Sequence, residues 1–151
     1  MSNLDPAQAA RQSRMSLLAK SEPSRLAALF SALADVPAHT WLRTPEVGAV
    51  MVRGRMGGTG APFNLGEMSV TRCALTLPTG EVGHAYVQGR DKDHATRAAL
   101  VDALMQTSRS EEVQTAVLDP LTEEAATAKT ARAAKAAATK VEFFTMVRGE
   151  D

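Results

Sequence analysis

The sequence predicts an α+β fold, in which N-terminal and central helices pack on a small antiparallel sheet and a long alanine-rich helix follows. Apolar residues recur at helical spacing up to residue 38 and again over 91–118, whereas 39–90 alternates as strands do. Alanine occupies nine of the twenty positions from Leu121 to Lys140, which strongly favours helix. We expect one domain over 1–151, ending in a helical extension and an apolar tail over 119–147.

The first two helices are predicted from their start and stop signals. Asp5 is a candidate cap with Pro6 just inside, so a helix is expected over 7–20. Ser21 is the expected cap of a second helix, with Pro23 in its first turn. This helix carries an apolar stripe at helical spacing and is expected to run until Pro37.

Four strand segments are predicted next. His39–Arg43 is a short strand ended by Pro45, and Glu46–Met56 is a stronger one. Met68–Leu77 and Glu81–Gly89 flank the turn Pro78-Thr79-Gly80 and form a hairpin. A three-residue loop there makes paired residue numbers sum to 158, so that Cys73 faces Ala85 and Leu75 faces Gly83.

That register assigns the two faces of the hairpin. The side with Thr71, Cys73 and Val87 is small and mostly apolar, so it is expected to lie against the helices. The other side places Arg72 opposite Tyr86 and Ala74 opposite His84. Because it mixes ionisable and apolar groups, we expect this second side to be covered by a partner.

The remaining helices follow from further capping signals. Asp91 is expected to cap a helix whose stripe includes Val101 and Leu104, with His94 solvated in its first turn. A short helix is predicted over 108–118. Asp119 and Pro120 are expected to begin the C-terminal helix as a cap followed by proline.

Composition excludes several classes of function. Lys plus Arg and Asp plus Glu are both 17, so the chain lacks the basic excess of a general nucleic-acid binder. The single cysteine, Cys73, is expected to be a small buried apolar residue. No apolar stretch reaches membrane-spanning length and no secretory signal is evident, so a cytoplasmic location is expected. Aromatic residues make up only 4%, which indicates a thin core.

The glycine-rich stretch Gly54–Cys73 is the most informative feature. Backbone N–H groups at Gly57, Gly58 and Gly60 could cradle a phosphate, although the stretch matches neither a Walker loop nor a dinucleotide fingerprint. The alternative is a strand connection, or a close contact with a partner chain. Both interpretations stay open.

Arginines near this stretch are the candidate anion-binding residues. Arg53 and Arg55 project from the same side of one strand, and Arg72 and Arg90 lie on neighbouring segments. The alternative is ion pairing with carboxylates such as Glu67 or Asp91. His84 is the one histidine that shares a predicted face with other ionisable groups. No spacing of histidine and carboxylate suggests a metal site, and no catalytic constellation is present.

A second set of candidates is apolar and would dock a partner. These residues are Phe63, Tyr86, Phe143, Phe144 and Met146. The last three lie in the short apolar segment that closes the chain, after an alanine-rich helix with little area to bury. We interpret that segment as a docking plug.

The motifs together resemble the PhnG family of the bacterial carbon–phosphorus lyase. The resemblance rests on five blocks in order along nearly the whole chain: ARQSRMSLLAKSEP, RMGGTGAPFNLGEMSVTRCAL, GHAYVQGRDKDHA, LVDALMQTSR and VEFFTMVRG. It implies a subunit of the core complex with PhnH-, PhnI- and PhnJ-type partners and a PhnL-type accessory protein.

The resemblance also implies the reaction in which the chain takes part. The complex converts ATP and methylphosphonate to α-D-ribose 1-methylphosphonate 5-triphosphate and adenine. No catalytic residue carries over, and ATP is a substrate of the complex rather than a cofactor of this chain. Two hypotheses follow: the chain is a non-catalytic interaction subunit, or its arginines and glycine turn contribute to the triphosphate site.

Overall fold

The computed structural model describes residues 5–140, and its helices enclose one side of a three-stranded sheet. The helical segments are α1 (Pro6–Lys20), α2 (Pro23–Ser31), α3 (Lys92–Leu104), α4 (Ser110–Val113) and α5 (Asp119–Ala138). The strands are β1 (Thr40–Arg55), β2 (Pro62–Thr76) and β3 (Val82–Gln88), in the order β1-β2-β3 with both pairs antiparallel. The predicted α+β class is confirmed.

Helix α3 lies at the centre of the core. Nine of its thirteen residues are buried, and it packs on the inner face of β2 and β3. Its approach to β3 is close, because a Cβ placed on Gly83 would lie 2.0 Å from the carbonyl oxygen of Ala99. Leu18, Leu26, Leu75 and the helical turn before α5 complete the core from the other elements.

The hairpin of β2 and β3 has the predicted register. Cys73 pairs with Ala85, Leu75 with Gly83, and Arg72 with Tyr86. The Cys73 side faces the helices and is buried, whereas Arg72 and Tyr86 are exposed. The prediction held because the turn at Leu77–Glu81 is closed by local hydrogen bonds that fix the pairing of everything beyond it.

Two expectations about helix ends need correction. Ser21 is not the N-cap of α2, because Glu22 occupies the N-cap position. The Ser21 hydroxyl instead donates a hydrogen bond to the carbonyl oxygen of Leu18, near the end of α1. Helix α2 ends at Ser31 rather than near Pro37, and the chain after it turns through Asp35 at a positive φ of 49°. By contrast, Pro6 and Pro23 open their helices as predicted.

Asp119 and Pro120 do not begin a new helix. Helix α4 runs through a π-helical turn, Gln114–Leu118, directly into α5. Asp119 has helical dihedral angles, and its carboxylate accepts a hydrogen bond from Gln114 at 2.6 Å. The wider turn is the expected accommodation of Pro120, whose ring would clash with a carbonyl in a regular helix.

The predicted break at Pro45 is also wrong. Strand β1 continues through Pro45, and its register against β2 shifts between Arg43 and Glu46. Proline is tolerated because β1 is an edge strand and the register shift leaves the residue without a ladder bond to make. Strand β2 likewise begins at Pro62, six residues before the predicted start at Met68.

Helix α5 projects from the body with little support. Leu121 is its one buried residue, and the alanines after it are exposed. A salt bridge of 2.7 Å joins Glu124 to Arg25 of α2. Within residues 5–140, no helix is both long enough and apolar enough to cross a membrane.

Candidate protein-docking surface

The distal halves of β1 and β2 form a two-stranded β-ribbon, residues 46–67, that no helix covers. Five cross-strand pairs, from Met51–Glu67 to Arg55–Pro62, lie within it and extend it by about 17 Å at about 3.3 Å per residue, while residues 46–50 pair with 68–72. No residue of the ribbon is buried. Val50 and Val52 are half-buried and alternate with exposed Met51 and Arg53, as the predicted alternation requires.

The glycine turn closes the ribbon on itself. Gly57 and Gly58 have φ values of 59° and 82°, a region in which side chains other than glycine are strained. The N–H groups of Thr59 and Gly60 both donate to the carbonyl oxygen of Met56, the latter at 2.8 Å. Of the three glycine N–H groups proposed to bind an anion, that of Gly60 is therefore used within the turn, as is the neighbouring N–H of Thr59.

Phe63 and Leu65 stand beside the turn on β2. Leu65 is the extra residue of a bulge, because Val52 pairs with Gly66 and Arg53 already with Asn64. The Phe63 ring lies over Gly54, where an added Cβ would be 3.5 Å from its Cζ. Glycine at this position lets the ring lie against the strand while 43% of Phe63 stays exposed.

Exposed apolar side chains are concentrated on the ribbon. Of the eight large hydrophobic residues that are exposed within residues 5–140, five belong to it: Val47, Met51, Met56, Phe63 and Leu65. Met56 and Leu65 are the most open of the eight, at 75% and 66%. A concentration of this kind on a projecting element is typical of a protein-binding surface.

The candidate arginines do not converge. Arg72 binds Glu46 at 2.6 Å, and Arg43 binds the same carboxylate oxygen at 2.7 Å. The hydrogen bond from Arg72 is the largest cause of the lowered pKa of Glu46. Arg53 lies seven residues further along β1, a separation of about 23 Å at the usual strand rise.

Arg53 and Arg55 remain without a carboxylate partner in the part of the chain that the structure describes. Arg55 donates to the carbonyl oxygen of Gly60 at 3.0 Å, which holds it against the turn. Arg90 is exposed and lies beyond the end of β3. The assignment of these arginines to a phosphate stays a prediction.

His84 and Tyr86 lie on the exposed face of β3, as predicted. The His84 backbone N–H donates to Asp102 at 3.0 Å, while its ring is exposed. Tyr86 borders a shallow groove with Arg11 and Met15 of α1. The apolar candidates Phe143, Phe144 and Met146 lie outside the described residues.

The similarity to known proteins decides the family. A family model described as phosphonate metabolism protein PhnG matches residues 9–149. A protein of Rhizobium meliloti (strain 1021) is 44% identical over 151 residues, which covers 97% of this chain and 94% of that relative. The relative is named alpha-D-ribose 1-methylphosphonate 5-triphosphate synthase subunit PhnG. The chain belongs to the PhnG family. Its resemblance to that family, inferred from the motifs, is confirmed.

The PhnG family match spans every helix and strand from Ala9 onward, including the whole β-ribbon. Among residues 5–140, no group of three or more His, Cys, Asp or Glu side chains could hold a metal ion. Two features that sequence reasoning missed organise this chain: an ion pair between a buried aspartate and a partly exposed arginine, and a buried histidine.

The ion pair joins Arg11 of α1 to Asp102 of α3. Asp102 is 1% exposed and accepts two hydrogen bonds from Arg11, at 3.0 and 2.7 Å. Arg11 also donates to the carbonyl oxygen of Val82, as does Gln106 at 2.8 Å. The carbonyl oxygen of Glu81 accepts a hydrogen bond from the Leu77 N–H across the hairpin. Because the bonding direction alternates along an antiparallel strand, the backbone groups of Val82 and His84 point away from β2. The pair therefore caps the outer edge of β3.

His94 is buried, which corrects the expectation that it is solvated. It is 1% exposed, and its Nε2 lies 2.9 Å from the carbonyl oxygen of Leu18 and 3.3 Å from the Ser21 hydroxyl. Its backbone N–H bonds to Asp91, so the predicted cap of α3 is confirmed. The ring thereby links the end of α1 to the start of α3. The end of α1 packs over this turn only through tertiary structure, so no local sequence pattern indicates that His94 is buried.

Cys73 is confirmed as a buried apolar residue. It is 3% exposed, and its thiol donates to the carbonyl oxygen of Ala95 at 3.3 Å. Burial raises the pKa of the thiol to about 11. A nucleophilic cysteine needs the opposite shift, so this residue is structural.

Proposed function

We propose that this PhnG-family chain is a non-catalytic or accessory subunit of the carbon–phosphorus lyase core complex. That complex converts ATP and methylphosphonate to α-D-ribose 1-methylphosphonate 5-triphosphate and adenine. Family membership and the name of the 44% identical relative, a subunit of this synthase, support the proposal. We assign the chain no cofactor of its own, and ATP is a substrate of the complex.

The observation that carries this role is the uncovered β-ribbon. An isolated two-stranded hairpin is at best marginally stable in water, and this one exposes five large apolar side chains. Cover from another subunit would bury them and supply the stabilisation that the chain's own helices do not provide.

The partners we propose are the PhnI-type subunit first, then the PhnH- and PhnJ-type subunits, with a PhnL-type accessory protein. Docking would use the β-ribbon around Gly57–Gly66 and the apolar segment with Phe143, Phe144 and Met146. Tyr86 and Arg72 on the exposed face of β3 and β2 extend the available surface.

Reconstitution tests the role directly. The PhnH-, PhnI- and PhnJ-type subunits are expressed with and without this chain, and release of adenine from ATP and methylphosphonate is measured. We expect assembly and adenine release to require the chain, and the chain alone to release none. Full assembly and turnover without it would refute the proposal.

A truncation separates the two docking elements. A chain ending at Thr139 lacks the apolar segment but keeps every described strand and helix, because α5 ends at Ala138. We expect it to lose co-purification with the PhnI-type subunit. If it assembles fully, the apolar segment is not a docking element and the β-ribbon alone carries the contact.

A second candidate role is a contribution to the triphosphate site across a subunit boundary. It is favoured by Arg53 and Arg55, which lack a carboxylate partner within residues 5–140. Arg53→Gln with Arg55→Gln should then raise the KM for ATP in a complex that still assembles. Unchanged kinetics in the assembled variant would remove this role.

A further inference from the structure

The tip of the β-ribbon, residues 52–66, carries a local positive charge in a chain that is neutral overall. It contains Arg53 and Arg55 and no aspartate or glutamate, whereas the whole chain has 17 residues of each sign. The arginines nearer the body, Arg43 and Arg72, share the single carboxylate of Glu46. Of the four arginines on β1 and β2, Arg53 and Arg55 are the two without a carboxylate partner among the described residues.

The same tip presents the most exposed apolar side chains. Met56, Phe63 and Leu65 are 75%, 43% and 66% exposed. Phe63 and Leu65 lie on the Gly54 face of the tip, whereas Arg53 and Arg55 project from the opposite face, so a cleft that encloses the tip would meet both sets. Arginine with adjacent aromatic and aliphatic residues is the composition enriched at the centre of protein interfaces. A surface meant only for solvent would not combine these groups.

The geometry favours a protein carboxylate over a phosphate as the counter-charge. Two N–H groups of the glycine turn already bond to Met56, and Arg55 is held against Gly60. An anion nest would need those groups free. A phosphate would also leave the three apolar side chains in water, whereas an apolar cleft with acidic residues at its rim would cover all of them.

We propose that the tip of the β-ribbon inserts into an apolar cleft rimmed by carboxylates on a partner subunit. Met56, Phe63 and Leu65 fill the cleft, and Arg53 and Arg55 pair with acidic residues at its rim. Guanidinium groups bind carboxylates through two parallel hydrogen bonds, which fixes the orientation of the ribbon. This inference rests on the proposed subunit role and names the partner chemistry of its docking site.

The test is co-purification of the full chain with the co-expressed PhnI-type subunit of the same organism. Arg53→Glu with Arg55→Glu is expected to lower the recovered complex at least tenfold at 0.1 M NaCl. The matched control is Arg132→Glu with Lys135→Glu on exposed α5, which makes the same change in net charge and should have no effect. Met56→Ser with Leu65→Ser should lower recovery at both 0.1 and 0.5 M NaCl, because its effect is not screened by salt.

The outcomes distinguish the inference from the proposed function. If wild type forms the complex and the arginine variant does so equally, or if the α5 control is equally impaired, the docking chemistry is wrong while the subunit role stands. If wild type fails to bind the PhnI-type subunit, the proposed partner itself is wrong.

Two further results would also overturn the inference. Binding of the chain to vesicles of phosphatidylglycerol and phosphatidylcholine that is lost in the arginine variant would identify a membrane surface. Self-association of the chain alone that is lost in the same variant would identify a second copy as the occupant.

Discussion

Strand β2 passes through two environments along its fifteen residues. From Val70 to Leu75 all but Arg72 are buried, with Cys73 and Leu75 in the core against the helices, whereas Pro62 to Glu67 are exposed on both faces. The exposed half is nonetheless continuously paired with β1 apart from one bulge. Hydrogen bonding to β1 is therefore sufficient to keep this half of β2 a strand, but it does not bury its side chains.

The two halves differ in role: the helix-covered half is stabilised within the chain, whereas the exposed half is available to a partner. At the helix-covered end the buried Asp102 carboxylate and the Nε2 of His94 have partners within the chain, whereas the buried Nδ1 of His94 and Nε of Arg14 have none in the described structure. The β-ribbon leaves apolar side chains and two arginines without cover in the described structure. Substitutions at the covered end should reduce the free energy of unfolding, and substitutions on the ribbon should affect assembly instead.

The largest loss is expected for Arg11→Met. It would leave Asp102 buried with only the His84 N–H and without its counter-charge, at a cost of about 3–5 kcal/mol in the free energy of unfolding. Urea denaturation followed by circular dichroism measures it. Arg53→Met makes the same chemical change on the ribbon and should cost no more than about 0.5 kcal/mol. Equal costs would erase the distinction between the two regions.

A pair of glycines tests the same distinction through packing. Gly83→Ala would set a Cβ 2.0 Å from a backbone oxygen and 2.9 Å from the Ala103 Cβ, so α3 must move. We expect a loss of about 3 kcal/mol. Gly48→Ala meets nothing within 4 Å and should be neutral or stabilising by up to about 1 kcal/mol. Thermal unfolding of both variants decides, and a tolerated Gly83→Ala would contradict the close approach of α3.

Cys73 predicts a pH dependence of the covered end. Its thiol pKa is raised from 9.0 to about 11, so the unfolded chain releases the proton first as pH rises. Stability is therefore intact below pH 9 and falls by roughly 2–3 kcal/mol as the pH rises to 11. Because other groups titrate in that range, the measured quantity is the difference between wild type and Cys73→Ala at each pH. A difference that stays constant from pH 8 to 11 would contradict the burial of the thiol.

The smallest effect on stability is expected for Leu65→Ser. Two thirds of this bulged residue is exposed, so the free energy of unfolding should change by no more than about 0.5 kcal/mol. Urea denaturation beside wild type measures the change. A cost above about 1 kcal/mol would show that the chain itself packs against Leu65 and that the ribbon is not bare.

Local chemistry predicted the parts of the fold that depend on neighbouring residues. The turn at Pro78–Gly80 fixed the register of β2 against β3, and Asp91 was found as the cap of α3. The alternation of Val50 and Val52 with Met51 placed β1 correctly along the ribbon. The glycine stretch was also marked as a contact region, although part of it proved to be strand.

The misses depend on distant residues. Pro45 was treated as a strand breaker because nothing in the sequence states that β1 lies at an edge of the sheet. Asp102 is buried because Arg11 reaches it from 91 positions away, and His94 is buried because α1 ends above it. A carboxylate inside the apolar run from Ala98 to Leu104 was the one available signal of such a pair.

The hydrogen bonds that Arg11 and Asp102 make with β3 distinguish the two edges of the sheet. A further strand could be added beside β1, but the first outward groups of β3 are already bonded to side chains. A strand that paired with β3 would have to displace these side chains at Val82 and His84, whereas pairing beside β1 meets no such obstacle among the contacts of the described residues. One salt bridge thus makes the two edges of the sheet unequal and leaves the β1 edge as the one more open to a neighbouring strand.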